Sequence, residues 1–407
     1  MITLSKQYFR ASWDQIGQLG AVVLAFMIPV STSLTSLWTG ILLLAWFSPD
    51  NKRLKRAIFW HHPLSASMLA LGALTILGGC YSIGDPKSIW HACVDVLRLG
   101  LIPLLLYYYQ DPRIARYALG AFIGAMGLTL VLGFLKVHAD FPIGLKYTVG
   151  AVFKSHIKTS FFMAMAVFFL ALQAVQHPRF RLAYGVLIGA MIYYLFFLSI
   201  GRVGVIALGI CLGVFAWYHF KVKGLLIAGA LGLITLIGAY FSSDLFYNRI
   251  NLLSQDLDIY LQGGNLAASS LGSRLSFMQD SLSLYFQHPW VGSGTGSFAV
   301  AYANNLQDQA SLLTDNPHNQ YLLTAVELGA VGLGGLLLMF SQQWRLARVL
   351  SAEQRCLCHG VLLTFFVGCF LNSWLKDFTE AYFYCFMVAL CFARFPFVVK
   401  EINKKAH

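Results

Sequence analysis

Apolar runs close to membrane-helix length fill most of this chain and are separated by short polar segments. A helix needs about 20 mostly apolar residues to cross a bilayer, and about twelve such runs can be placed. They lie near residues 15–30, 33–48, 64–81, 90–109, 114–135, 157–175, 182–200, 203–219, 224–241, 320–341, 356–374 and 381–397. The pattern therefore predicts an all-α polytopic membrane protein with about 12 transmembrane helices.

One long polar interruption, residues 242–319, separates the ninth run from the tenth. Apolar residues recur at helical spacing from Ser273 to Phe286, which predicts a short amphipathic helix with Ser273 as its cap. A second short helix is expected over residues 297–309. We expect residues 1–407 to form a single integral-membrane domain into which this one large loop is inserted.

Three glycines, Gly292, Gly294 and Gly296, lie between these two predicted helices. A dinucleotide site would need a buried strand before the glycines, and an amphipathic helix precedes them here. We expect either close backbone packing at the glycines or backbone N–H groups that face an anion.

The composition excludes a soluble protein. Charged residues make up 11% of the chain and hydrophobic residues 58%, and the mean hydropathy is +0.66, whereas soluble domains carry about 25% charged residues. The net charge of +12 is explained by membrane topology and by attraction to anionic membrane lipids. We therefore predict no nucleic-acid partner.

Basic residues gather on alternate loops and at both ends of the chain. They include Lys6, Arg10, Lys52, Arg53, Lys55, Arg56, Arg113, Arg116, Arg179, Arg181, Lys221, Lys223, Arg345, Arg348, Arg355, Lys400, Lys404 and Lys405. By the positive-inside bias this side is cytoplasmic. Both termini are thus predicted to be cytoplasmic, and the loop of residues 242–319 is predicted to face the periplasm of a Gram-negative host.

Arg202 lies between two apolar runs with almost no loop. A charge at that depth costs roughly 2.5–3.5 kcal/mol unless it is paired or solvated. It is either a helix-end arginine that reaches the interface or an anion holder at the base of an outward cavity, where Gly201 and Gly204 would permit close approach. Arg274, in the first turn of the predicted amphipathic helix, either faces solvent or lipid phosphate, as arginines on such helices often do, or binds an anion at the site.

His318 lies at the junction of the long loop and the tenth run. A neutral imidazole at the floor of an external cavity is the usual general base near neutral pH, and an ordinary helix-end histidine is the alternative. Asp377 and Glu327 are candidates to orient it. Cys356, Cys358 and His359 lack a second ligand pair, so no metal site is predicted.

These residues together favour chemistry on an anionic, lipid-linked substrate. Arginines present paired donors that match phosphate oxygens, and a nearby histidine is suited to deprotonate a hydroxyl that attacks the carbon bearing the phosphate. The arginines would neutralise the leaving diphosphate, so the chemistry requires no metal.

Four segments, in this order and around a long external loop, resemble the O-antigen ligase superfamily. Its members are bacterial membrane glycosyltransferases: O-antigen ligases, O-antigen polymerases and protein O-oligosaccharyltransferases. The segments are Ser199-Ile200-Gly201-Arg202, Gly272-Ser273-Arg274, His288-Pro289-Trp290-Val291-Gly292-Ser293-Gly294 and Asn316-Pro317-His318-Asn319-Gln320-Tyr321-Leu322. The resemblance covers roughly residues 150–380 and implies a twelve-helix protein of the inner membrane.

For a ligase, the resemblance implies transfer of O-antigen polysaccharide from undecaprenyl diphosphate to a sugar hydroxyl of lipid A–core, without cofactor, metal or ATP. By this resemblance Arg202 and Arg274 hold the diphosphate and His318 activates the acceptor. The surrounding substrate-binding candidates are Lys154, His156, Lys158, Arg249, Asn319, Tyr321 and Asp377.

Two other functions remain open from the sequence. An O-antigen polymerase would share the arginines, whereas a protein oligosaccharyltransferase would be expected to continue further after its last span. A multi-span transporter or flippase would place ionisable groups near the bilayer midplane, where Asp95 and Arg98 are one helical turn apart. A local salt bridge is the simpler explanation of that pair, and the other external charges gather at the outer face.

Overall fold

A computed structural model describes residues 2–144, 150–199, 201–262, 270–305 and 313–396, and these form helices joined by short connections, with no strand among them. The helices are α1 (Ile2–Met27), α2 (Thr32–Trp46), α3 (Lys52–His61), α4 (Pro63–Gly79), α5 (Pro86–Leu97), α6 (Leu101–Tyr109), α7 (Pro112–His138), α8 (His156–Gln176), α9 (Arg181–Tyr193), α10 (Arg202–Ser242), α11 (Asp244–Leu261), α12 (Ser270–Gln287), α13 (Phe298–Asn305), α14 (Gln320–Leu346), α15 (Ala352–Leu371) and α16 (Phe378–Phe392). The predicted all-α polytopic membrane fold is confirmed. Ile200 and the basic tail at Lys400, Lys404 and Lys405 lie outside the described residues.

Each predicted span falls on one or more helices. Fewer than the predicted twelve helices, however, are both long enough and apolar enough to cross a membrane by themselves. Seven helices in the described part of the chain are long and apolar enough to cross a membrane, or eight if the bent pair α3 and α4 counts as one span. Two further apolar helices, α2 and α16, have 15 residues each, fewer than a perpendicular crossing needs. The predicted eighth and ninth spans lie together in α10.

The chain turns sharply within α10 at Lys221, whose backbone has φ 56° and ψ −143°. A Cβ on Gly224 would lie 2.6 Å from the carbonyl oxygen of Ala216, although residues eight apart in a straight helix are separated by about 12 Å. The two halves of α10 therefore pack against each other around the turn, where the sequence predicted a short basic loop.

Helices α8 and α16 form the centre of the protein, and their aromatic side chains pack with those of neighbouring helices. Phe122 of α7 lies against Phe383 of α16, with ring centroids 5.1 Å apart, and Phe161 of α8 lies 4.6 Å from Trp374. All four side chains are buried. This packing holds the first turns of α8 and α16 in fixed positions.

Helix α14 is broken at Gly329, where φ is 63° and ψ is −161°. In an unbroken helix the N–H groups of residues 330 and 331 would bond to the carbonyls of residues 326 and 327. Here all four groups bond instead to the loop that follows α12. The bonds are Ser293 N to Val326 O (2.9 Å), Gly294 N to Glu327 O (2.8 Å), Ala330 N to Pro289 O (2.8 Å) and Val331 N to Trp290 O (3.2 Å). The inserted loop thus satisfies the helix break completely.

The three loop glycines lie where backbone meets backbone, so the expectation of close packing is confirmed. Gly294 has φ 97°, and a Cβ there would lie 2.1 Å from the Cα of Ser82, in the connection that follows α4. The anion that faces this loop is the protein's own: the Glu327 carboxylate accepts hydrogen bonds from the backbone N–H groups of Gly296 and Phe298. The loop therefore joins α4, α13 and α14.

Candidate functional site

The first turns of four membrane helices meet on the face of the protein that carries α11 to α13, here termed the loop face. A Cβ on Gly201, before α10, would lie 2.6 Å from the carbonyl oxygen of His156 in α8. Lys158 of α8 pairs with Glu380 of α16 at 3.1 Å. The side chain of Gln320, the first residue of α14, accepts from the backbone N–H of Lys376 at 3.2 Å. Four partly positive helix ends thus surround one region.

His318 lies in a tight turn just before α14, with φ 52° in the left-handed region. Its backbone N–H donates to Asn316 Oδ1 at 2.9 Å, and Ser373 Oγ donates to the same oxygen at 2.7 Å. Asn319 then caps α14 by accepting from the N–H of Leu322 at 3.1 Å. The sequence around Pro317 therefore forms a turn in which the backbone of His318 has an uncommon conformation. Such conformations are frequent at functional sites.

A relay of two hydrogen bonds fixes the imidazole. His318 Nδ1 lies 2.9 Å from Asn372 Oδ1, and Asn372 Nδ2 donates to Asp377 Oδ2 at 2.6 Å. Because an ionised carboxylate only accepts, the amide must present its nitrogen to Asp377 and its oxygen to His318. Nδ1 then carries the proton, which leaves the lone pair on Nε2 free to accept one.

Asp377 was predicted to orient His318 directly. In the structure it bonds to Asn372, and Asn372 bonds to His318. Burial raises the pKa of the Asp377 carboxyl, and the nearby charges of Lys158, His318 and Lys376 lower it. Asn372 was not predicted as a site residue, because it lies inside the apolar run predicted as the eleventh span, where nothing in the sequence marks it as a partner of His318. In the structure α15 ends at residue 371.

Arg274 lies on α12, next to the relay. Its Nη1 is 3.5 Å from the carbonyl oxygen of Leu371, the residue before Asn372. One turn further along α12, the ring of Phe277 lies 6.2 Å from that of His318. Burial and the positive charge of Arg202 lower the pKa of Arg274, although a guanidinium remains charged at any working pH. The two arginines are thus neighbours, and Arg274 lies beside the histidine.

Arg202 begins α10 and lies against the start of α8. Arg249 of α11 interacts electrostatically with both Arg202 and His156, and Asp256 partly offsets the charge of Arg202. The glycines that flank Arg202 were predicted to permit close approach of another group. That group is α8, since a Cβ on Gly204 would lie 2.5 Å from Ser160. Close helix packing therefore fixes where Arg202 lies.

Two lysines continue this positive surface from α8. Lys158 pairs with Glu380, whose side chain is only 2% exposed and was not among the predicted site residues. Lys154 is buried, and burial, followed by the charge of Lys158, lowers the pKa of Lys154 to about 8 while Glu380 opposes the shift. Six cationic or potentially cationic side chains predicted for the site therefore occupy one region: Lys154, His156, Lys158, Arg202, Arg249 and Arg274.

The remaining predicted residues have structural contacts of their own. Tyr321 donates its hydroxyl to the carbonyl oxygen of Phe366 at 2.7 Å, which joins α14 to α15. Asn319 is a helix cap. Glu327, the second candidate orienter, bonds to the glycine loop, while the hydrogen bond of the His318 ring goes to Asn372. The Asp95–Arg98 pair is a local ion pair one helical turn apart.

The arrangement combines a positively charged surface with an imidazole. Guanidinium and ammonium groups match phosphate oxygens in charge and geometry, and an imidazole with one unprotonated nitrogen can accept a proton from a bound hydroxyl. In the described part of the chain, no group of three or more His, Cys, Asp or Glu side chains is placed to hold a metal ion.

One family of known proteins matches part of the chain. Residues 188–337 match the family model described as O-Antigen ligase. The matched region contains α10 to α13 and the first part of α14, and so includes Arg202, Arg249, Arg274 and His318. It ends before Asn372 and Asp377. No curated protein matches the chain.

Proposed function

We propose that this chain, a multi-pass member of the superfamily of O-antigen ligases and polymerases, is an O-antigen ligase. In this proposal it transfers O-antigen polysaccharide from undecaprenyl diphosphate to a sugar hydroxyl of lipid A–core. The loop face would lie in the periplasm and the protein in the bacterial inner membrane. The family match supports the superfamily, and the choice of ligase, donor and acceptor is our own.

The observation that carries the proposal is the His318–Asn372–Asp377 relay beside Arg274. His318 Nε2 takes the proton of the acceptor hydroxyl as that oxygen bonds to the anomeric carbon of the donor glycan. The bond from this carbon to the diphosphate breaks, and undecaprenyl diphosphate leaves with the electron pair. One displacement of this kind inverts the configuration at the anomeric carbon.

The arginines have the second role in the proposal. Arg202 and Arg274 would bind the diphosphate and stabilise the charge that grows on it as the bond breaks. Removing one such donor typically costs about 10²–10³ in kcat. Because guanidinium groups supply this stabilisation, the proposed reaction needs no metal ion.

The other candidate residues support the substrates in this scheme. Lys154, His156, Lys158 and Arg249 would extend the positive surface to further phosphates of the donor or acceptor. Asn319 and Tyr321 would hold the start of α14, and with it His318, in place. Asn319 caps α14, and Tyr321 bonds α14 to α15. Asp377 would hold the amide of Asn372.

Purified protein in detergent, given the undecaprenyl-diphosphate-linked glycan and lipid A–core, tests the proposal. We expect glycan-bearing lipid A–core to form in the presence of EDTA and without nucleotide, and His318→Ala to abolish it while the protein stays folded. Glycan that is lengthened on undecaprenyl diphosphate, with the core untouched, would instead identify a polymerase. No product of either kind from folded protein would favour a transporter.

A further inference from the structure

A cavity lies between α4, α5, α13 and α14. It has a volume of about 300 Å³. Its lining includes the solvent-accessible side chains of Asp315 and Lys376 and the buried apolar side chains of Leu71 and Leu336. The Arg202–Arg274–His318 set is absent from its lining, so the mechanism proposed above makes no use of it.

Side chains that bind hydroxyl groups converge on this cavity. Gln320 is 8% exposed, and its Oε1 is already occupied by the backbone N–H groups of Leu375 and Lys376. Its Nε2 has only a long contact to Thr324 Oγ1, at 3.4 Å. This leaves an amide donor at the cavity wall with capacity for a further hydrogen bond.

Glu327 adds an acceptor to the same wall. It lies deep in the protein yet keeps part of its surface open, and it lines the cavity. Two backbone N–H groups, those of Gly296 and Phe298, hold it, whereas a carboxylate has about four acceptor positions. Among the described residues it forms no ion pair. Asp95, which is 18% exposed and paired with Arg98, lies on the opposite wall.

The lining of the cavity has no excess of positive charge to attract a phosphate. Asp95 is paired with Arg98, and Lys376, the one ammonium group of the lining, is paired with Asp315 at 3.7 Å. The surface around Arg202 and Arg274 is instead rich in arginine and lysine, so the cavity and that surface differ in the ligands they favour. Carboxylates, an amide and hydroxyls beside apolar side chains are suited to an uncharged sugar.

Helix α5 forms one wall of the cavity. It begins the apolar segment Pro86–Tyr109, which is long enough to cross a membrane. Its outer side carries Trp90 and Leu97, which are 66% and 58% exposed, while its inner side presents His91 and Asp95 to the cavity. A substitution on the inner side of α5 therefore changes the cavity, and one on the outer side does not.

We propose that this cavity is a binding subsite for an uncharged pyranose unit of one of the two glycans. The identity of the glycans rests on the proposed ligase function, but sugar binding does not. The unit belongs either to the donor polysaccharide or to the acceptor core, and both offer the same hydroxyl chemistry. The anionic parts of both substrates would remain at the arginine surface.

Saturation-transfer NMR on the full chain, in a detergent without a sugar headgroup, tests the subsite directly. The probes are O-polysaccharide freed of its lipid and dephosphorylated core oligosaccharide freed of lipid A. We expect one probe to bind, and its identity reveals which glycan supplies the unit. Ala92→Phe, which fills the cavity from α5, should weaken binding about tenfold or more, and Glu327→Gln should weaken it while retaining an acceptor for the glycine loop.

The matched control is Leu97→Phe, which adds a ring on the exposed side of α5 and should bind like the wild type. Equal binding by Ala92→Phe and wild type, or no binding of either probe, would overturn the subsite. So would a calcium or magnesium site, detected by titration with the metal alone and lost in Glu327→Gln. Failure of transfer with sugar binding intact would count against the ligase function only.

Discussion

His318 Nδ1 and Asn372 Oδ1 lie 2.9 Å apart although 54 residues separate them in the chain. The contact joins the turn before α14 to the end of α15, and it decides which imidazole nitrogen carries the proton. Since the amide of Asn372 is itself held by Asp377, the base is oriented from α16 as well. Residues at the ends of α14, α15 and α16 thus together fix the orientation of the His318 ring and leave the lone pair on Nε2.

Replacing Asn372 tests this orientation. We expect Asn372→Ala to lower kcat by about tenfold or more, within the 10²–10⁴ that a general base contributes, and to leave the KM for the lipid-linked donor nearly unchanged. The pH–rate profile should change as well, because the imidazole tautomer is no longer fixed. Asn304→Ala, an exposed position on α13, is the control. If Asn372→Ala raised the KM for the donor and left kcat unchanged, a positioning role would be contradicted.

Replacing Arg274 by lysine tests whether the paired donors of the guanidinium matter. An ammonium group keeps the charge but cannot form two parallel bonds to a diphosphate. We expect Arg274→Lys to lower kcat/KM by about 10²–10³, measured with purified protein and varied donor. Arg113→Lys, at an exposed position outside the site, should transfer normally. Full activity of Arg274→Lys would show that charge alone suffices.

Lys154 gives the site a dependence on pH. Since burial lowers the pKa of Lys154 to about 8, its ammonium form predominates below pH 8 and is lost as the pH rises above it. If this charge helps to bind the donor, the KM for donor should rise between about pH 8 and 9.5. Lys154→Arg, which stays charged, should flatten that rise, and Lys87→Arg at an exposed position should not. An unchanged KM across this range in the wild type would exclude the contribution.

Gly294 is the position where the loop inserted at the α14 break tolerates least change. Alanine there would combine a left-handed backbone with a Cβ 2.1 Å from the Cα of Ser82. We expect Gly294→Ala to destabilise the protein by on the order of 2 kcal/mol or more, measured as a lower Tm in detergent. Gly124→Ala on α7 has open space around it and should leave the Tm unchanged or raise it. Equal Tm values for the two variants would contradict the role of the loop.

The helices and Arg202 could be predicted from the sequence for one physical reason: a bilayer requires apolar runs of fixed length and makes each isolated charge costly. Arg274 and His318 lie in the one long polar segment, where their chemistry and the resemblance to a known family singled them out. The predicted amphipathic helix also appears, as α12, beginning three residues before Ser273.

Partners that meet across the fold were not accessible. Asn372 and Glu380 lie within apolar stretches, and their roles depend on contacts with residues 54 and 222 positions away, which periodicity does not reveal. The two helix breaks differ in the same way. Lys221 interrupts an apolar pattern and was predicted as a loop, whereas Gly329 lies in a pattern that continues through it, so only the inserted loop explains it.

The break at Gly329 has a mechanical consequence. A continuous helix would pass any tilt imposed by the bilayer on its lower half directly to the turn that holds His318. Here each half of α14 forms two hydrogen bonds with the loop at residues 289–294, so the loop joins the two halves in place of continuous helix backbone. Membranes of different thickness change the tilt of spanning helices. A tilt of the lower half of α14 therefore acts on the turn at His318 through this loop, and the loop sequence sets how strongly the membrane and the reaction centre are coupled.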